Sequence, residues 1–426
     1  MGGPVLSKEE NELLTRTGPG TPAGELLRRF WQPVALSEEV PVGAAPMPVT
    51  IMSENLVLFR DDDGKPGLLG LHCSHRGADL SYGRVEDGGL RCIYHGWLYD
   101  RAGRCLEQPG EPAGSTLRQA QGRPFHERIQ QRAYPCEEVA GYIFTYMGPG
   151  DPPLLPEFEF LTTSEEHRYT AKRLNECNFL QALEGTYDPQ HLSFLHLIYS
   201  AKDDAVQGYL AKDPAPSLEV EETENGVCVM RRLRISDDEY FVKSNKYVLP
   251  SMSVAAATTS GYTFHWYVPI DDERCFIYDA VFSRDETLDK ERLARSRSER
   301  DSSYRLLRNK DNRYQQDREE MKSRTFSGIG TSFNAQDACV IEGAGAIQDR
   351  TQEHLGYTDK GLITARKLYL RAILDLQEGR EPPSVIRDPA LNRTQNTTVV
   401  DGVIPAVPDW RDRLKARELE LAGVRG

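Results

Sequence analysis

Apolar residues along the chain fall into two textures. Near the start, Leu26, Leu27, Phe30 and Trp31 recur at helical spacing, which predicts a short amphipathic helix over 22–32. From about 48 to 150 the apolar runs shorten and glycine turns interrupt them. Leu56–Phe59 precedes Asp63-Gly64, Leu68–Leu71 follows, and Leu90–Ile93 comes after Asp87-Gly88-Gly89, with Gly96–Tyr99 next. β-rich runs cut by such turns predict a small antiparallel unit built from hairpins. Its last strand is the run 141–147, and Gly148-Pro-Gly-Asp-Pro-Pro then reads as a linker.

Beyond the linker the periods lengthen. Residues 175–198 read as helix, and 217–235, 240–250, 262–269 and 274–283 as strands of an antiparallel sheet. Residues 287–323 are densely charged helix formers, which predicts one or two solvated surface helices. A further helix is predicted over 361–378, with Leu362, Ala365, Leu368, Leu370 and Ile373 among its apolar positions. No internal repeat interrupts this order. The expected class is α+β, divided into an N-terminal helical segment at 1–45, a small β domain at 46–150 and a larger helix-on-sheet domain at 151–426.

Composition removes several functions. The 426 residues carry a net charge of −13, against the basic face of a nucleic-acid binder and against docking on an anionic membrane. No run of 18 apolar residues predicts a spanning helix, and the first 27 residues lack the apolar stretch of a signal peptide. The expected location is the cytoplasm. Eight cysteines in so long a chain do not form a disulfide scaffold. Cys177, Cys228, Cys275 and Cys339 read as reduced thiols acting as small hydrophobes.

Two other cysteines belong to a pattern. Cys73-x-His75, then sixteen residues, then Cys92-x-x-His95 offers one thiolate and one imidazole from each of two loops. A Rieske-type 2Fe–2S cluster needs that inventory, with two Cys on one iron and two His on the other. The rival is a Cys2His2 zinc site, but zinc motifs pair Cys with Cys and His with His at wider spacings. Gly77, Gly96 and Gly103 suit tight loops with N–H groups near sulfur, and Tyr94 and Trp97 are placed to screen the cluster. His72 lies outside the pattern.

A cluster that moves one electron leaves most of the chain unexplained. Asp188, His191 and His196 stand within nine residues. On an ideal helix the two imidazoles lie about 140° apart. One metal therefore requires a distortion or a helix end between them, and Pro189 marks an irregularity just before. Two imidazoles and a carboxylate make the facial triad of non-haem Fe(II) oxygenases. If Asp188 has another use, residues 334–350 offer Asp337, Glu342 and Asp349.

With these motifs in place the sequence resembles the oxygenase component of Rieske non-haem iron aromatic-ring hydroxylases, and more narrowly the phthalate 4,5-dioxygenase-like group. The resemblance runs from Thr17-Gly-Pro-Gly-Thr-Pro-Ala-Gly-Glu through the cluster loops, Glu176-Cys-Asn-Phe-Leu-Gln-Ala-Leu-Glu-Gly and Gln336-Asp337, to Asp349-Arg-Thr-Gln-Glu-His-Leu-Gly. It implies a Rieske domain beside a helix-grip (START-like) catalytic domain. It implies that His191, His196 and Asp337 hold the mononuclear iron, with Asp349 and Asp188 as rival carboxylates. Asp188 would instead bridge His191 to His95 of the neighbouring subunit, which implies a homotrimer. Many relatives carry Asn three residues before this Asp, where this chain has Gly185.

The implied reaction is O2 activation at Fe(II), with monooxygenation of an aromatic carboxylic acid by hydroxylation or O-demethylation. The alternatives are cis-dihydroxylation of a phthalate-like acid, a Rieske electron carrier without oxygenase activity, and a zinc-stabilised binding protein. No G-x-G-x-x-G run follows a strand, so NAD(P)H electrons are expected through a separate reductase of flavin or ferredoxin type. Pocket residues are expected from 198–210, 228–268 and 325–335. Arg231, Arg232, Arg234, Lys243 and Lys246 are candidates for a substrate carboxylate, though a solvated strand position is the more ordinary role for each.

Overall fold

Helix α1 (Lys8–Thr15) opens on a reciprocal cap, in which the Ser7 and Glu10 side chains each accept the other's backbone N–H. Helix α2 (Pro22–Arg28) begins on Pro22, whose missing N–H is not needed there. It ends earlier than the apolar pattern predicts. Phe30 and Trp31 are buried all the same, because the chain passes directly into strand β1 (Gln32–Leu36). The computed structural model describes residues 6–111, 125–199, 216–258, 261–296, 299–392 and 397–421.

Short strands then build the hairpin region. In chain order they are β2 (Met47–Ile51), β3 (Glu54–Arg60), β4 (Pro66–Gly70), β5 (Arg84–Glu86), β6 (Gly89–Arg91), β7 (Leu98–Tyr99), β8 (Cys105–Glu107), β9 (Ala133–Tyr134), β10 (Cys136–Val139) and β11 (Tyr142–Thr145). They pair as the antiparallel sheets β2-β3-β4-β9, β5-β6-β7-β8 and β1-β11-β10. Val57, Phe59, Leu69, Leu80, Leu90, Trp97 and Tyr99 pack around Cys73 and Cys92 in a core of their own.

The rest is organised on one antiparallel sheet. Its strands are β12 (Arg168–Asn175), β13 (Ser217–Thr223), β14 (Gly226–Arg234), β15 (Glu239–Val248), β16 (Met252–Thr258), β17 (Gly261–Pro269) and β18 (Cys275–Ser283), with β19 (Asp401–Pro405) beside β15. The spatial order is β12-β18-β17-β16-β15-β14-β13. Helix α3 (Phe179–Thr186) packs on β16 and β17, α4 (Phe333–Gly343) packs on α3, and α5 (Lys360–Gln377) covers β13 and β14. The buried stripe Ala365, Leu368, Tyr369, Ala372 and Ile373 explains the placement of α5. α1 and α2 join α3 and α5 in the same apolar core. Helix α6 (Trp410–Leu421) closes against β19.

Four expectations need correction, the first being the segment 217–235, which a turn at Glu224-Asn225 divides into β13 and β14. Residues 175–198 are not one helix. β12 ends at Asn175, α3 stops at Thr186, and His191–Ser193 is a single 3₁₀ turn. The Met252–Thr258 strand was absent from the predicted set, because its small residues carry little β signal. Among the described residues, 287–323 hold only short helical pieces at Lys290–Ser296, Lys310–Gln315 and Glu320–Ser323. Arg313, Tyr314 and Gln315 sit at positive φ and break any longer helix.

Candidate metal centres

The two cluster-motif loops are built alike. The N–H of Gly77 donates to Cys73 O at 2.8 Å, and that of Gly96 donates to Cys92 O at 3.0 Å. Each loop closes when Cys73 N and Cys92 N donate to Ala78 O and Trp97 O, five residues on. Both glycines sit at positive φ, +73° and +75°, where a side chain would be strained. This geometry buries both thiols and leaves His75 half-buried and His95 exposed. The imidazole centroids lie 4.5 Å apart, and the indole of Trp97 stacks on His75 at 4.3 Å. Tyr94, itself exposed, lies over His95.

The Tyr99 hydroxyl lies 3.2 Å from Cys73 Sγ, within reach of a thiolate. Burial and the neighbouring Cys73 raise the Cys92 thiol above its ordinary range, so a Cys92 thiolate here calls for a cation. The donor set, two buried sulfurs and two outward imidazoles, fits a Rieske cluster. His72 only closes its own loop, with Nδ1 3.2 Å from Gly77 O.

The second constellation forms where α3 ends. Asp188 Oδ1 accepts from Gln190 N at 2.7 Å, a turn that starts the 3₁₀ segment carrying His191. Arg231, fully buried on β14, donates to Pro189 O and Ser193 Oγ and holds this segment to the sheet. His196 follows in an irregular turn, so the 140° conflict of an ideal helix does not arise. α4 supplies Asp337 from the opposite side.

One ligand atom from each of His191, His196 and Asp337 lies within 4.8 Å of the others. His196 Nε2 is 3.0 Å and His191 Nε2 3.9 Å from Asp337 Oδ1. Cis ligands held at about 2.1 Å from one ion lie about 3 Å apart, so a small closure completes the set.

Proton positions agree with this. Gln336 Nε2 donates to Gly330 O, which leaves Gln336 Oε1 to accept from His196 Nδ1 at 2.6 Å. His196 Nε2 therefore keeps its lone pair. His191 Nδ1 is buried without a hydrogen bond, and Asp188 Oδ2 waits 3.7 Å away. Burial lowers the His191 imidazole, but Asp188 and Asp337 outweigh it and raise it overall. Burial raises the Asp337 carboxyl, and His196, His191 and Arg173 outweigh it in turn, so it is lowered. Asp349 caps its own turn through Thr351 and is not part of this group. Glu342 binds Glu176 N and Tyr314 OH instead.

Gly185, the departure in the motif, has a packing reason. A Cβ there would meet Ile341 Cδ1 on α4 at 3.0 Å. The bare glycine lets α4, and Asp337 with it, approach α3.

The basic candidates have other partners. Arg232 lies over Tyr240 and Trp410, Arg234 donates to Asp237 O, Lys243 faces Asp401, and Lys246 pairs with Glu418. Of the expected pocket segments, 200–210 lies outside the described residues. Sequence reasoning missed Gln336 as the partner of His196. It also missed His265, whose Nδ1 lies 2.6 Å from Asp279 Oδ1 on the same sheet. No local motif marks either one. All eight cysteines are free, and burial pushes the Cys228 thiol up to about 12. Among the described residues no helix is long and apolar enough to cross a membrane.

Comparison with known proteins adds sequence relationships. Residues 30–125 match the Rieske 2Fe–2S domain family, and residues 145–425 match the family described as LigXa C-terminal domain like. The chain is 33% identical over 428 residues to the 5,5'-dehydrodivanillate O-demethylase oxygenase subunit of Sphingobium sp. (strain NBRC 103272 / SYK-6), covering 98% of this chain and 91% of that one. It is 34% identical over 430 residues to the phthalate 4,5-dioxygenase oxygenase subunit of Pseudomonas putida, covering 96% and 94%. The oxygenase in the reduced complex between oxygenase and ferredoxin in carbazole 1,9a-dioxygenase shares the fold, with a TM-score of 0.58 at 20% identity over 90% of this chain and 97% of that one.

Proposed function

The chain belongs to the Rieske non-haem iron oxygenases, and from that premise we propose that it is a terminal oxygenase component that monooxygenates an aromatic carboxylic acid by hydroxylation or O-demethylation. The observation that carries this reading is the convergence of His191, His196 and Asp337 from two separate segments, in a chain that also holds the two Cys/His loops. When bound, the iron supplies O2 activation and the cluster supplies its electrons.

The residues divide the work. Cys73, His75, Cys92 and His95 hold the cluster, and His191, His196 and Asp337 hold the mononuclear iron. Gln336 keeps His196 in the tautomer that ligates through Nε2. Asp188, whose Oδ2 stands 3.7 Å from His191 Nδ1, is placed to accept from it once that gap closes and, in a homotrimer, to reach His95 of a second copy. The division at 46–150 and 151–426 puts one metal group in each domain, and the matches to 30–125 and 145–425 support it.

A separate NAD(P)H-dependent reductase of flavin or ferredoxin type delivers the electrons. The words "oxygenase subunit" in the relatives' names and the ferredoxin complex of the structural neighbour support this. The cytoplasm, where thiols stay reduced, suits the eight free cysteines. O-demethylation draws support from the name of the dehydrodivanillate relative, and cis-dihydroxylation of a phthalate-like acid from that of the phthalate relative.

The test is a product screen. The protein is supplied with a surrogate reductase and a panel of benzoates, phthalates and methoxybenzoates, and the products are searched for phenols, diols and formaldehyde. Formaldehyde or a phenol from at least one acid is expected, and diols alone would favour dihydroxylation. The His191→Ala variant should fall from about three irons per chain to about two, keep the cluster's visible spectrum and lose oxygenation. Oxygenation that survives this change would sink the site assignment.

A further inference from the structure

A polar group on the sheet is not used by the metal centres. His265 on β17 stands opposite Asp279 on β18, and its Nδ1 lies 2.6 Å from Asp279 Oδ1. Asp279 is 2% exposed, and its other oxygen pairs with the buried Arg173 of β12. A carboxylate paired with a guanidinium is ionised and accepts only. It therefore fixes the His265 tautomer with the proton on Nδ1. In the neutral ring Nε2 then carries the lone pair, and among the described residues no group hydrogen-bonds to it. The side chain keeps 15% exposure, so this nitrogen is not sealed in the core.

Its place in the fold relates it to the iron site. Two residues along the same face of β17, the Tyr267 hydroxyl bonds Thr186, the last residue of α3 before Asp188. Asn245 of β15 donates to Thr186 O. Behind His265, Arg173 acts electrostatically on Asp337. The sheet face carrying His265 thus lies under the segment that carries Asp188, His191 and His196.

We propose that His265 is a substrate-binding residue whose Nε2 accepts a hydrogen bond from a hydroxyl on the substrate ring, so that the enzyme selects hydroxylated aromatics. The proposal rests on the reading above that the substrate is aromatic. The reason is the fixed polarity of the site. A ring nitrogen that only accepts, oriented by a buried ion pair, rewards an O–H donor. It loses a hydrogen bond to a methyl ether or an unsubstituted ring, and sites built to bond a hydroxyl discriminate strongly against analogues that lack one. Asp279 and Arg173 are positioning residues that act through the imidazole.

The experiment compares matched pairs in the reductase-supplied assay: 4-hydroxybenzoate against benzoate, and 4-hydroxy-3-methoxybenzoate against 3,4-dimethoxybenzoate. The wild type should prefer the hydroxylated member of each pair at least tenfold in kcat/KM, mostly through KM. His265→Leu should bring the ratio close to one, with iron content and cluster spectrum unchanged. His265→Gln, which retains an acceptor oxygen, should restore part of the preference. A wild type without preference, or a preference that His265→Leu leaves intact, overturns the proposal. If His265→Leu does not fold, an unchanged ratio in His265→Gln and His265→Phe together serves as the same refutation. If no aromatic is oxidised, the aromatic-substrate reading fails. His265 is then read by equilibrium binding of phenol against toluene, and equal affinities overturn its role.

Discussion

His196 can give only one nitrogen to a metal, because Gln336 takes the other at 2.6 Å and is itself pinned by Gly330 O. Gln336→Leu removes the acceptor without adding charge. The ring then loses its fixed tautomer, and iron affinity should fall about 10- to 100-fold, as read by chelator competition, with the cluster unaffected. An unchanged affinity would mean that packing against Phe333, stacked on the ring at 4.2 Å, orients His196 unaided. The histidines themselves were legible from their spacing in a chain with only nine. Gln336 and His265 were not. Their partners lie 140 and 14 residues away, and only the meeting of α4 with the turn that carries His196, or the register of β17 with β18, brings them together.

At the scale of elements, α3 is held in place by charge as well as by its apolar face. Glu184 is buried between Arg350 and Arg366, and Arg366 also pairs with Glu353. Burial raises the Glu184 carboxyl, but the two guanidinium groups outweigh it and hold it at about 2, against an ordinary 4.5. A lowered folded-state value adds stability that is complete above pH 4.5 and is lost as pH falls through about 2. Glu184→Gln should therefore cost ~3–5 kcal/mol at pH 7 in urea unfolding, since it leaves buried guanidinium charge uncompensated. Its stability should also vary less between pH 5 and pH 3 than that of the wild type. The helices and strands with strong periodicity, such as α5, β15 and β18, were legible. The loop from Pro189 to Ile198 was not, because Arg231 and the Asp188 turn define it rather than any period. The charged segment 287–323 read as helix because its composition favours one. Its ion pairs to distant residues, such as Arg305 with Glu176, hold it in irregular form instead.

At the scale of the whole molecule, the two metal groups are exposed in complementary ways. Ile93, Tyr94 and His95 face outward at the cluster loops, while Phe194, Phe326 and Phe333 are exposed around the iron site. In the proposed homotrimer, electrons cross from one copy to the next. Two inactive variants, Cys92→Ser without a cluster and His191→Ala without mononuclear iron, should then restore activity when co-expressed in one oligomer. Each tested alone should remain inactive. A mixed oligomer without activity would place the electron path within a single chain. Sequence alone carried the α+β class and the pairing of a cluster region with a larger sheet, because both rest on local hairpin and helix signals. Which surfaces meet between copies has no such local signal.

The contact between Gly185 and Ile341 also bears on how the family varies. A residue with a Cβ at 185 must be matched by a smaller or differently placed side chain at 341, because the approach is 3.0 Å. The two positions should therefore co-vary. Related sequences with Asn at the first should avoid Ile at the second, and an alignment in which the two vary independently would show that the backbone of α4 absorbs the difference instead.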